Sequence, residues 1–336
     1  MRLSLLPKML IASLIAIFTS CSSSDESQEI VAPKHQIVFL FSPGGLGDMG
    51  YNDCILTGLQ RFKLEHPQED MFMYSPQSLD EAEGIFSDWL NRPGSDIHTM
   101  FVLASSDYEA LAEGYLEDAS LSDNKQVLLF ESDKDFGART STFQISMYGA
   151  SYLAGRTAAN AVADGKALIV LANSNDRPIS VAKDGFIDGF GAECDVEYLA
   201  DDWTGYISSA LAYQKMEDWS EGYGFIFPVA GGSNSGIYRY SREFARGPLL
   251  AGMDVDQSHL SHRISGSVIK RIDNLIYEYL CEWIETHTLP ETGMYGLESG
   301  YVDWELSQSF AGEFCAAVES YRNEATAAEQ KYLDKK

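Results

Sequence analysis

The sequence predicts an α/β protein of two doubly wound lobes. Three observations carry the prediction. Short apolar runs recur along the chain, each followed by Gly, Pro, Ser or Asp and then by a stretch of helical periodicity. The runs fall into two successive sets of about four βα units, which suits two open parallel sheets better than one long sheet. Once an N-terminal export segment is set aside, about 300 residues remain, enough for two lobes at ~100–200 residues per domain.

The elements follow in order. Arg2 and Lys8 give a positive start, residues 9–18 an apolar stretch, and Thr19-Ser20-Cys21 a small-residue cleavage site, so residues 1–20 are expected to be a secretory signal. The apolar stretch is well short of the ~20 residues that a membrane-spanning helix needs. Phe18-Thr19-Ser20-Cys21 resembles a bacterial lipobox, which implies cleavage before Cys21 and its acylation. Residues 21–35 are too polar to build a core and read as a flexible tether. Buried strands are expected at 37–41, 71–74, 99–103 and 127–130, and again at 167–171, 196–199, 224–227 and 249–253. The strongest helical pattern spans 265–284, where Val268, Ile272, Leu275, Ile276, Tyr279, Leu280 and Trp283 form one apolar stripe. Thr288-Leu289-Pro290 breaks it, a short strand is expected at Tyr301-Val302, a closing helix runs through Phe314, and the charged end from Arg322 is expected to fray.

Charge narrows the function. The chain carries 24 basic and 50 acidic residues, and loss of Arg2 and Lys8 with the signal takes the balance from −26 to −28. Such a surface repels phosphate backbones, so nucleic-acid binding and basic-patch membrane binding are disfavoured. Cys54, Cys194, Cys281 and Cys315 lack metal spacing and read as free thiols, although export leaves a disulfide open. No metal or other cofactor is expected.

Open parallel sheets bind ligands outside the carboxyl ends of their strands. The first such segment is Pro43-Gly44-Gly45-Leu46-Gly47-Asp48-Met49-Gly50-Tyr51-Asn52-Asp53, with a helix beginning near Asn52. Its glycine spacing fits neither a dinucleotide fingerprint nor a P-loop, and its two carboxylates would repel phosphate. A capped tight turn and a site for a neutral polar ligand both remain open. The second segment, 229–236, is again glycine-rich, and the third, 251–257, offers Asp254, Asp256 and Gln257. A carboxylate pair there could serve acid–base chemistry or hold two sugar hydroxyls; calcium lacks a third acidic ligand at the right spacing.

Gly44-Gly45-Leu46-Gly47-Asp48-Met49-Gly50-Tyr51-Asn52 with Gly58-Leu59 resembles the Gly-Gly…Asp-Lys-Ser-Phe-Asn…Gly-Leu signature of the basic membrane protein family, the substrate-binding lipoproteins of ABC transporters. The resemblance continues through 149–155, 185–190, 230–232, 254–257, 267–273 and 295–297. It implies a type I periplasmic-binding fold, with lobes over 36–142 plus 258–289 and 143–257 plus 290–320, a multi-strand hinge, and a charged tail at 321–336. It also implies a purine-nucleoside-like ligand held between the lobes. Asp48 and Asn52 would face the base, Tyr51 and Trp203 would stack on it, and Gly232, Asp254 and Lys270 would contact the ribose. The aspartate that ends the fourth strand in relatives is matched by Asp133. Read from the residues alone, Tyr51 and Trp203 also suit a core. Lys270, expected in the first turn of the long helix, is either solvated there or paired with an anion such as Asp254. Met49-Gly50 and 233–236 depart from the family pattern at the mouth of the site.

The expected protein is a monomer of the cell envelope that delivers its solute to a membrane permease. It would contact the membrane only through Cys21. A ligand-sensing lipoprotein acting through a receptor, with another small hydroxylated solute, is the alternative. An enzyme, such as a hydrolase using Asp254 and Asp256, is disfavoured: there is no GxSxG or HExxH, and of the six histidines only His259 and His262 are closely spaced.

Overall fold

The computed structural model describes residues 35–335 other than 94–95, 117–120, 163–164 and 245. The expected signal peptide, Cys21 and the tether through residue 34 lie outside the described residues, whereas His35 opens the first strand.

Strand β1 (His35–Phe41) is apolar from Ile37 to its end because it sits between two parallel neighbours in a sheet covered on both faces. Helix α1 (Tyr51–Glu65) follows, then β2 (Asp70–Tyr74) at the sheet edge, where Phe72, Met73 and Tyr74 are exposed. Helix α2 (Leu79–Asn91) starts where Ser78 accepts the Glu81 N–H. Then come β3 (His98–Ala104), α3 (Glu109–Leu116), β4 (Lys125–Phe130) and β5 (Thr140–Ile145). The chain crosses over into α4 (Tyr148–Ala161), β6 (Ala167–Asn173), α5 (Arg177–Phe190), β7 (Asp195–Ala200) and α6 (Ser209–Gly222). Next are β8 (Phe225–Val229), α7 (Asn234–Glu243), β9 (Leu249–Asp254) and β10 (Ile264–Lys270). It returns through α8 (Ile272–Thr286) and β11 (Gly293–Tyr295), and ends with β12 (Val302–Leu306) and α9 (Gln308–Leu333).

Two six-stranded sheets result, in the orders β11-β5-β4-β3-β1-β2 and β12-β10-β9-β8-β6-β7. All pairings are parallel except that of β10 with β12. This is the expected doubly wound, type I periplasmic-binding architecture. Alternate residues of each sheet serve opposite layers. Val38, Leu40, Phe101 and Leu103 pack with Ala82, Phe86 and Trp89 of α2, while Ile37, Phe39, Phe41 and Val102 pack with Ile55, Leu59 and Phe62 of α1.

Three expectations need correction. The helix expected over 265–284 is a strand followed by a helix. Ser265, Gly266 and Ser267 lie in β10 between β9 and β12, and Val268 is a strand residue; the stripe from Ile272 onward is helical and buried. The lobe boundaries shift accordingly. β10, expected in the first lobe with 258–289, pairs in the second sheet, and β11, expected in the second lobe with 290–320, pairs with β5 of the first. Finally, the tail at 321–336 does not fray after Arg322. It continues α9 to Leu333, with Ala325 and Glu329 buried.

Strand β5 escaped the sequence pattern because Thr140-Ser141-Thr142 looks solvated. In the fold Ser141 donates to the Pro290 carbonyl (2.5 Å) and Thr142 to the Lys134 carbonyl (3.0 Å), which satisfies buried hydroxyls.

Helices α4 and α5 cross at glycines. A Cβ at Gly185 would stand 2.2 Å from the Tyr148 carbonyl oxygen, and one at Gly189 would stand 2.0 Å from that of Tyr152. Beside this crossing, α9 fastens two of the three crossovers between the sheets. The Glu329 carboxylate accepts from Ser146 Oγ (2.7 Å), Gly149 N (3.0 Å) and Leu297 N (2.6 Å).

Candidate ligand site at the strand ends

In both sheets the strand order reverses beside the first strand, β3-β1-β2 and β8-β6-β7, and a crevice opens there at the carboxyl ends. The cavity between the two sets of strand ends offers about 90 Å³ to the centre of a water-sized sphere. One water needs ~10–15 Å³ on that measure, so there is room for an organic solute.

Six expected site residues line this cavity: Asp48, Tyr51, Asn52, Gly232, Asp254 and Lys270. Two expected residues lie elsewhere. Trp203 borders a separate surface recess with Pro43, Leu46, Ser75 and Gln77, while Tyr206, on the same short 3-10 turn, reaches the cavity. Asp133 sits near the rim and pairs with Arg177 at 3.2 Å; the residue that enters the cavity after β4 is Glu131. Asp107, after β3, and Asp176, after β6, complete the wall without having been singled out. All four unforeseen residues follow strands, so the strand-end rule was the signal that could have found them.

The loop before α1 is self-organised. The Asp48 carboxylate caps the helix, accepting from the backbone N–H groups of Gly50 (2.9 Å), Asn52 (2.9 Å) and Asp53 (3.2 Å). Asn52 donates to Ser42 Oγ (2.8 Å), the Gly45 carbonyl (3.0 Å) and Asp48 (3.1 Å), and accepts from Ser42 N (3.2 Å) and Oγ (3.1 Å). The amide is therefore engaged in holding the loop. Asp53, which as a free charge would repel phosphate, is bonded to Gly47 N (2.8 Å) and Met49 N (2.9 Å).

Lys270 ends β10 and is not in a helix, because β10 runs the chain up to the cleft before α8 begins. Its ammonium meets Glu131 Oε1 at 2.6 Å, so the expected anionic partner exists but comes from the opposite sheet. Burial opposes the Lys270 charge, yet Glu131 and Asp254 outweigh it and raise its pKa. Burial pushes Asp254 up to about 6, with Lys270 opposing and Asp48 and Glu131 assisting. Asp176 is likewise pushed up to about 6 by burial, although Tyr206 OH and Ser106 Oγ (3.1 Å) donate to it and hold it lower than it would otherwise be. Burial also raises Asp107, whose carboxylate accepts from Ser105 Oγ at 2.8 Å.

Among the described residues, four non-glycines have positive φ, and three of them are here: Met49, Glu131 and Asp254. This left-handed backbone costs of order 1–3 kcal/mol per residue and is typical of positions that a site demands. Contacts that join the two strand-end layers include Lys270 with Glu131, Ser106 with Asp176, Arg177 with Asp133, and Gln257 Nε2 with the Met49 carbonyl at 2.6 Å. No group of three metal-ligating side chains occurs among the described residues.

Comparison with known proteins agrees with this architecture. Residues 35–332 match the family model described as Bmp, ABC transporter substrate-binding protein PnrA-like. Basic membrane protein B of Borrelia garinii subsp. bavariensis is 25% identical over 321 residues, covering 90% of this chain and 89% of that protein. Among solved structures, an ABC transporter solute-binding protein from Aeropyrum pernix shares 18% identity at a TM-score of 0.65, covering 88% of this chain and 86% of its own. A glucose-galactose binding protein from Geobacillus stearothermophilus shares 15% at 0.55, covering 78% and 94%. Matched over residues 35–332, this chain belongs to the Bmp, or PnrA-like, family of ABC transporter substrate-binding proteins, which bind solutes and are not enzymes.

Proposed function

We propose that the chain is an envelope lipoprotein, anchored through acylated Cys21, that closes its two lobes on a nucleoside-like solute and passes it to a membrane permease. The observation that carries this reading is the composition of the cavity wall. Tyr51 and Tyr206 supply aromatic rings, Asp254 and Lys270 come from adjacent strand ends, and among the described residues no cation other than Lys270 lines the space. An aromatic ring stacks on a planar base with roughly 1–3 kcal/mol, a carboxylate accepts from sugar hydroxyls, and an acid-rich wall disfavours phosphorylated solutes. A purine nucleoside fits these terms, with Tyr206 in the role that the sequence assigned to Trp203. Asp48 and Asn52 act in this reading by holding the loop that carries Tyr51. Calorimetric titration of the mature protein with adenosine, guanosine, inosine and uridine tests it: at least one is expected to bind at micromolar affinity or better. No heat from any of them with folded protein would refute the nucleoside assignment.

A further inference from the structure

The hydrogen-bonding groups of the cavity are unevenly committed. Ser42 donates to Asn52 (3.1 Å), Ser105 to Asp107 (2.8 Å), and both Ser106 and Tyr206 to Asp176. The Asn52 amide is used by its own loop. Tyr51 differs. Its hydroxyl is buried and has no hydrogen-bond partner, although the residue lines the cavity and Lys270 Nζ stands 4.8 Å from its ring centre. The charged groups around it are Glu131, Asp254 and Asp176, with the Cys54 thiol beyond. Burial and these charges hold the phenol well above its ordinary pKa, so it stays protonated and able to donate. Once ionised, the carboxylates of the wall can only accept.

We propose that the Tyr51 hydroxyl is a specificity-determining donor, matched to an acceptor atom on a solute that otherwise presents donors to the surrounding carboxylates. The proposal rests on the cleft being the solute site. A buried hydroxyl without a partner weighs against the fold, and among the described residues none of the surrounding carboxylates is hydrogen-bonded to it. A bound solute with one acceptor in reach removes that penalty. Polyhydroxylated or amino-bearing heterocycles meet the requirement, whereas anionic solutes would face the carboxylates. The signature that the loop resembles carries Phe where this chain has Tyr51, so the hydroxyl is additional to ring stacking.

Tyr51→Phe keeps the ring and removes the donor. Its ligand-free melting midpoint is expected to equal or exceed that of the wild type, while its affinity for a nucleoside bound by the wild type falls about tenfold, one hydrogen bond's worth. Comparing adenosine with its 1-deaza, 3-deaza and 7-deaza analogues then locates the acceptor: if it is a ring nitrogen, the tenfold loss vanishes for the analogue lacking it. Unchanged affinity in Tyr51→Phe, or a midpoint lowered by several degrees, would overturn the proposal. If the wild type binds none of the four nucleosides, the nucleoside reading fails separately. The midpoint then decides alone: retained or raised supports an uncommitted donor, and lowered refutes it.

Discussion

Asp176 shows how tightly the cleft balances charge. It is buried, receives two hydroxyl donors, and its neighbour Arg177 is engaged with Asp133. Its pKa of about 6 exceeds the ordinary 3.8, so the folded state holds a proton that the unfolded chain releases between those values. The ionised form therefore opposes folding above pH 6, and the opposition fades as pH falls toward 4. Asp176→Asn is expected to stabilise the ligand-free protein by about 1–3 kcal/mol at pH 7.5 and by roughly half as much at pH 5. Chemical denaturation at the two pH values checks this, and a gain of equal size at both would contradict it. The same scale shows what the sequence could not supply. Strand-end placement located Asp48, Tyr51, Gly232 and Asp254, and the family resemblance located Lys270, but choosing Glu131 over Asp133 required the backbone angle at Glu131, where φ is 58°. Choosing Tyr206 over Trp203 required the path of a short 3-10 turn. Neither is encoded in residue type.

At the level of elements, several segments that carried the family resemblance are joints between helices. Gly185 and Gly189 belong to one such segment and Gly155 to another, and together they let α4 and α5 cross with backbone against backbone. Gly58 does the same for α1 against α8, where a Cβ would stand 2.3 Å from the Asp273 carbonyl oxygen. Backbone cannot swing aside as a side chain can. Gly185→Ala is thus expected to cost about 2–4 kcal/mol, read as a lowered urea midpoint; a cost below about 0.5 kcal/mol would show that the helices part easily. Apolar runs bounded by turns identified eight strands, six of them because buried parallel strands are largely apolar, and β2 and β7 by short apolar runs at the sheet edges. The period of the 265–284 stripe misled because Val268 falls by chance in phase with the helix beyond it. The stretch of β10 just before Val268 is Ser265-Gly266-Ser267, and the buried Ser265 hydroxyl bonds the Leu250 carbonyl at 3.1 Å.

For the molecule as a whole, two lobes close on a cavity through few contacts, and one of these is solvent-exposed. Arg177 and Asp133 have side chains 58% and 40% exposed, so their pair is worth ~0–1 kcal/mol. Arg177→Ala is expected to leave the melting midpoint unchanged and to speed release of a bound nucleoside by at most about fivefold. Stopped-flow release measures this, and a larger acceleration would mean that the pair holds the cleft shut. The division into two α/β lobes was legible from the repeated βα pattern. The exchange of β10 and β11 between lobes was not: β11 pairs with β5 across about 150 residues of chain, and β10 was read as part of a helix. No helix among the described residues is long and apolar enough to cross a membrane. Glu329 carries a mechanical consequence. By gripping Ser146, Gly149 and Leu297 at once, α9 splints two linkers from the second-lobe side. Bending in those linkers is then confined to the few bonds before Ser146 and around Gly296, and the lobes pivot as on a short stiff elbow whose stiffness is set by the last turns of the chain.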